Sequence, residues 1–174
     1  TARLHGDTLV GGPVSVATVD ARAQLARSRY GHLQTDALFD TGAVAARQIA
    51  GDRARGQLSI DGDTLLATLD VYDVDRTVVG VDASGALAAG RYEIPRLIVA
   101  PDPTQTWTGV GVQHVTLASD GVDDLRVLVA SGDSSIAANG RVDTRGETAV
   151  DVVVVDFGLP LLAAFDPAFS GYAG

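Results

Sequence analysis

From residue 57 onward the sequence is built of short runs rich in Val, Leu and Ile, most of them cut off by Asp-Gly, Ser-Gly or Pro-Asp-Pro. Alternation with a period of two is the mark of a half-buried strand, and Asp-Gly readily supplies the positive φ angles of a tight hairpin. Gln57-Leu58-Ser59-Ile60, then Asp61-Gly62-Asp63, then 65–72 therefore predicts a β-hairpin. Residues 77–81 predict a short strand ended by Asp82-Ala83-Ser84-Gly85. Residues 92–100 predict another, in which Pro95 demands an edge or a bulge because it cannot donate to a ladder. Val110, Val112 and His114 alternate with Gly111, Gln113 and Val115 over 110–118. Ser119-Asp120-Gly121 turns the chain and 125–130 returns it. Residues 148–157 are the strongest strand, and their Val152–Val155 run reads as buried on both faces.

The first third is less decided. Val19, Ala21, Ala23 and Leu25 alternate with Asp20, Arg22 and Gln24, which is strand periodicity, yet the alanine content favours helix. Residues 19–29 thus remain open between the two. Residues 42–50 are expected to form a helix, capped by Asp40 or Thr41 at its start and by Gly51 at its end. At 174 residues with no internal linker or repeat, the chain is expected to be one β domain over 1–174. Its expected fold is mainly β: an antiparallel β-sandwich or barrel with one short helix. Residues 159–174 form an apolar C-terminal tail in which Phe165, Phe169 and Tyr172 cluster, and exposed aromatic clusters are rare on monomers. These three are expected at an interface, either with the domain or with another copy.

Charge narrows the partners. The chain has 13 Arg and no Lys, against 20 Asp and two Glu, for a net charge of −9. Together with the abundant Gly, Ala and Val, this suits a GC-rich genome, and the Asp preference suits a halophilic host. Residues 1–60 carry +2 and residues 61–174 carry −11. Such a body repels a phosphate backbone, so sequence-specific nucleic-acid binding is not expected. No apolar run approaches the ~18 residues of a spanning helix, so membrane insertion is not expected, and nothing at the start reads as a targeting segment. Thr1 is the kind of residue left when an initiator Met is removed. The split of charge instead suits contact between copies, with Arg53 and Arg55 reaching acids of a neighbouring chain. Contacts of that head-to-tail kind close into rings or propagate as stacks.

Few residues combine into known chemistry. The absence of cysteine excludes disulfides and thiol catalysis. His5, His32 and His114 are too scattered for a metal site, and no elbow serine or phosphate loop is present. The acidic groups Asp61/Asp63, Asp70/Asp73/Asp75 and Asp120/Asp123/Asp124 lack calcium-loop spacing and read as solvated carboxylates. No cofactor or metal is expected. Trp107, between Thr106 and Thr108, suits stacking on a sugar, which makes a carbohydrate-binding β domain one alternative. The sharpest motif is Ala37-Leu38-Phe39-Asp40-Thr41-Gly42-Ala43. It resembles the Asp-Thr-Gly-Ala active-site turn of retroviral-type aspartic proteases, which implies a homodimer whose paired Asp40 carboxylates share a proton. That family's later apolar-apolar-Gly element has no clear counterpart here, since Pro160-Leu161-Leu162-Ala163 lacks the glycine.

The closing segment, Gly146-Glu147-Thr148-Ala149-Val150-Asp151 through Val155-Asp156-Phe157 and then Leu159-Pro160-Leu161, resembles the last strand and apolar exit of tail-tube proteins of tailed viruses. The resemblance implies a β-sandwich with one helix, stacked as rings around a DNA channel. With no complete catalytic set, the leading expectation is a non-enzymatic, self-assembling structural protein located in a virion, as tail tube or else as β-barrel capsid or decoration protein. Its partners would be copies of itself and other virion proteins.

Overall fold

The structure is a computed structural model that describes residues 1–11, 14–27, 31–46, 49–144 and 148–156. Within these it is all β, and the strands belong to one antiparallel sheet. The strands are β1 (Ala2–Gly11), β2 (Val14–Arg27), β3 (Leu33–Thr41), β4 (Val44–Ala46), β5 (Ile49–Gly51), β6 (Arg53–Asp61) and β7 (Thr64–Asp73). They continue as β8 (Arg76–Ala86), β9 (Arg91–Asp102), β10 (Gln105–Gly109), β11 (Gln113–Ala118), β12 (Gly121–Ser131), β13 (Ser134–Asp143) and β14 (Ala149–Val155).

Three of the breaks between strands are interruptions rather than turns. β3 and β4 meet β2 in one continuous register, with Val19 opposite Thr41 and Val16 opposite Val44. β5 and β6 continue each other in the same way, with Val44 opposite Gly51 and Thr41 opposite Ala54. β10 and β11 lie end to end between β9 and β12. Chain order is therefore spatial order, and the sheet is an up-and-down meander from β1 to β14. Each strand pairs with its sequence neighbours, the simplest connection an antiparallel sheet allows.

Register then sorts the side chains. Val19, Thr41, Ala54, Val71, Val79, Val99 and Trp107 stand opposite one another in a row across seven strands. Four of them supply most of the buried set: Trp107 is 2% exposed, Ala54 4%, Val71 6% and Thr41 8%. One residue along each strand lies a second row, Asp20, Asp40, Arg55, Asp70, Gly80 and Ile98. Successive residues point to opposite faces, so one face of the central sheet is apolar and the other carries the charges. The apolar core itself is small. Ala54, Val71 and Val78 form it, with Val44, Leu69 and Val79 packed against them. Val78 sits where the β7–β8 register slips between Val71 and Tyr72, and beside it Asp52 donates its N–H to the Tyr72 carbonyl at 2.7 Å.

Two glycines let side chains lie across strands. A Cβ at Gly56 would sit 2.1 Å from Phe39 Cζ, so the ring lies flat on the neighbouring strand and covers a position that has no side chain. A Cβ at Gly80 would sit 2.7 Å from Arg96 Nη2. That gap lets the guanidinium of Arg96 on β9 pass over β8 to reach Asp70 on β7.

Gln113 mends the interruption between β10 and β11. Its buried amide donates to the carbonyls of Val110 at 3.2 Å and Gly111 at 2.9 Å, and it accepts the N–H of Leu128. One side chain thus replaces the ladder bonds that the missing strand residues would make.

Several sequence expectations meet this structure directly. The hairpin around Asp61-Gly62-Asp63 is present as β6–β7, with Gly62 at φ 60°. Pro95 lies in a bulge, where the β8–β9 register shifts between Asp82 and Ser84. Residues 19–27 are strand, since alternation against two neighbours outweighs alanine's helix propensity. The expected helix over 42–50 is not one. Residues 44–46 form β4 and 49–50 belong to β5, because they continue the register of β3 and β6 and pair with β2 and with each other. The turn expected at Asp82-Ala83-Ser84-Gly85 is also strand, within β8, and Gly85 instead gives room for the Tyr92 ring. Val152–Val155 are not buried on both faces in the single chain. They are 46–58% exposed, because β14 is the last strand of the sheet and has β13 as its one neighbour among the described strands.

Candidate functional surface

The charged face is organised as a chain of ion pairs running across the strands. Asp40 lies within β3 opposite Arg55, and Arg53 lies two residues away on the same face. The Arg53 Nε donates to Asp40 Oδ1 at 2.8 Å and its Nη2 to Oδ2, while Arg55 Nε donates to Oδ2 at 3.0 Å. Two guanidinium groups hold one carboxylate, and the hydrogen bond from Arg53 is the main reason its pKa lies below the usual carboxylate range. Farther along, Arg96 bridges Asp70 and Asp82, with Nη1 donating to Asp82 at 3.1 Å. Toward β1, His5 Nδ1 meets Asp20 Oδ1 at 2.8 Å. That bond, with the charges of Asp20 and Asp7, raises the His5 pKa.

This geometry bears on the Asp-Thr-Gly motif. Proton sharing between two carboxyls requires that one of them hold a proton, whereas the paired arginines keep Asp40 ionised. Thr41 turns inward, and its hydroxyl accepts the N–H of Ala54 at 3.1 Å. Gly42 is small because Thr18 is close: a Cβ there would lie 2.6 Å from Thr18 Oγ1. Each residue of the motif thus has a local role in a strand pair.

The other expected site residues divide. Arg53 and Arg55 are half-exposed, with side chains 45% and 57% accessible, and both are engaged with Asp40 of their own chain. Phe165, Phe169 and Tyr172 lie outside the described residues. Trp107 is buried in the core row, so its ring offers no face to a sugar. Among the acidic groups, Asp63 accepts the N–H of Ala88 and so pins the turn after β8. No cluster of His, Asp or Glu suited to a metal ion occurs among the described residues.

An open groove of about 610 Å³ lies on the charged face where β9, β11 and β12 meet. Glu93, His114 and Arg126 stand in register across it, and Arg126 Nε donates to Asp124 at 3.1 Å. The sequence singles out His114, Asp70 and Asp82 only separately, as a scattered histidine, a solvated carboxylate and a turn residue, and does not bring them together with Glu93, Arg126 or Arg96. Their spacing is legible as strand parity, but the pairing needs the register between strands.

β14 differs from all of these. Its four consecutive valines expose side chains on both faces, flanked by Asp151 and Asp156. Its far edge pairs with no described strand. No helix among the described residues is long and apolar enough to cross a membrane.

Comparison with known proteins returns no match: no family, no curated protein and no solved structure corresponds to the chain.

Proposed function

We propose that this chain is a structural subunit that assembles with copies of itself, and that its setting is a virus particle, as a tail-tube protein or as a β-barrel capsid or decoration protein. One observation carries the assembly reading. The sequence is 46% hydrophobic, yet Ala54, Val71, Val78, Ala100 and Trp107 are the buried apolar residues among those described, while Leu4, Leu25, Leu33, Leu117 and Val152–Val155 stand well exposed. Apolar area left in water forgoes roughly 25 cal/mol per Å² of stabilisation, and large exposed patches mark surfaces made for contact.

A single sheet with one apolar face is half of a sandwich. In this reading a second copy supplies the other layer, or neighbouring sheets close into a barrel-like ring, so the sandwich or barrel is a property of the assembly. The virion setting is supported by the resemblance of the 146–161 segment to tail-tube proteins, and a net charge of −9 favours surfaces along which nucleic acid slides without being read. Arg53 and Arg55, half-exposed beside Asp40, have donors to spare for acids of a neighbouring chain.

The test is sizing of untagged protein by native mass spectrometry and negative-stain microscopy. Rings, tubes or shells are expected. A discrete monomer that persists on concentration would overturn the assembly reading, and dimers that cleave peptides in an Asp40-dependent way would replace it with the protease reading.

A further inference from the structure

We infer that β14 is the contact strand between copies, and that two chains join there edge to edge, antiparallel, about a two-fold axis at Val153. The inference rests on the self-assembly reading and names the surface that reading needs.

Both outer edges of a sheet present unpaired N–H and C=O groups, and proteins normally guard them with charge, proline or a bulge. β1, the edge at the other end, carries such a guard: Arg3, His5 and Asp7 line one of its faces, with His5 tied to Asp20. β14 has none. From Val152 to Val155 both faces are aliphatic, and charge appears only at the ends, on Asp151 and Asp156.

That pattern chooses the occupant. A strand that is apolar on both faces matches only another strand that is apolar on both faces. Against β1, Val153 and Val155 would have charged neighbours on one face. Against a second β14, Val152, Val153 and Val154 meet valine on both faces, and only Val155 faces an acid. Direction follows from the acids. A parallel, in-register pair would set Asp151 beside Asp151 and Asp156 beside Asp156, and like charges directly opposite are destabilising. The antiparallel pair centred on Val153 sets Val152 opposite Val154 and each Asp151 opposite a Val155, with the acids at the outer ends. The contact is isologous: the same patch serves both chains, and the sheet continues unbroken from one copy into the next.

A single introduced cysteine tests this without background, since the chain has no cysteine of its own. At the two-fold position the opposed Cα atoms of an antiparallel pair lie ~4.5–5.5 Å apart, within disulfide reach. Under mild oxidation Val153→Cys is expected to convert most of the protein to a disulfide-linked dimer, while Leu66→Cys, exposed at mid-sheet, stays mostly uncrosslinked. Val153→Asp is expected to raise the dimer dissociation constant at least tenfold in sedimentation. Three results would overturn the inference. Assembly of the Val153→Cys chain with its thiol free and alkylatable places the contact elsewhere and leaves the self-assembly reading standing. Crosslinking of that thiol only to the one introduced by Leu4→Cys makes the contact head-to-tail. A monomeric Val153→Cys chain whose thiol resists alkylation means that the chain covers its own edge, and the self-assembly reading falls with it.

Discussion

Strands β6–β8 and strands β12–β14 are both rich in Val, Leu and Ala, yet only the first group buries any of these residues completely. The central sector has polar and apolar positions in alternation, and the β4–β5 segment reaches over to β7 and β8. The terminal sector is apolar on both faces of β14, and no described element lies over it. Hydrophobic sequence is thus a necessary part of a core but an insufficient one. A covering layer decides whether it becomes a core or an adhesive surface, and no described element supplies that layer over β14.

The contrast can be broken first at Trp107, which β10 adds to the buried row of Ala54 and Val71 in the central sector. Truncating it to Ala empties a fully buried site and is expected to cost about 3–5 kcal/mol, enough to unfold a marginal domain. Thermal melting checks this. Val153→Ser, in the terminal sector, is expected to shift melting of the dilute chain very little, because an exposed side chain loses little when truncated. Equal losses at the two positions would erase the distinction between sectors.

Gln113→Ala comes next. It leaves two carbonyls and the Leu128 N–H without their partner, and buried unsatisfied groups cost ~1–3 kcal/mol. Denaturant unfolding reads the loss, and faster amide exchange at Leu128 would locate it. Gly80→Ala should cost about 1 kcal/mol by pushing the Arg96 guanidinium off Asp70. Adding Arg96→Ala should make the glycine substitution nearly neutral, which a double-mutant cycle measures.

The smallest effect belongs to the charge chain. Asp40→Asn weakens the pairing with Arg53 and Arg55, an exposed arrangement worth ~0.2–1 kcal/mol. The folded-state pKa of Asp40 lies below its unfolded value of 3.8. The pairing therefore contributes fully above about that pH and is lost as pH falls through the folded value. Melting profiles of wild type and Asp40→Asn should converge in acid and separate slightly toward neutral pH.

The strand content of this fold was readable because alternation and turn residues act locally. Asp61-Gly62-Asp63 is a hairpin turn with φ 60° at Gly62, and Pro95 marks a bulge, as their chemistry demands. Residues 42–50 misled because cap-like residues and alanines describe a helix well, while the register of β2, which makes them strand, is set by residues more than 25 positions away. Asp82-Ala83-Ser84-Gly85 misled because a glycine needed for a neighbour's ring has the same letter as one needed for a turn. The surface was legible only in part. Arg53, Arg55 and Asp40 were singled out separately, but their mutual pairing depends on which strands adjoin. Val152–Val155 read as buried because a run of valines reports the need for cover and not its source.

Deuterium exchange at the amides of 152–155, followed as protein concentration is raised, tests the central claim that one chain does not finish its own sheet. In β14 alternate N–H groups point to β13 and to the open edge. Those at the open edge are expected to exchange freely in dilute protein and to become protected as copies associate, while amides of β7 change little. Uniform protection of all four amides at every concentration, in a chain that sediments as a monomer, would contradict the account.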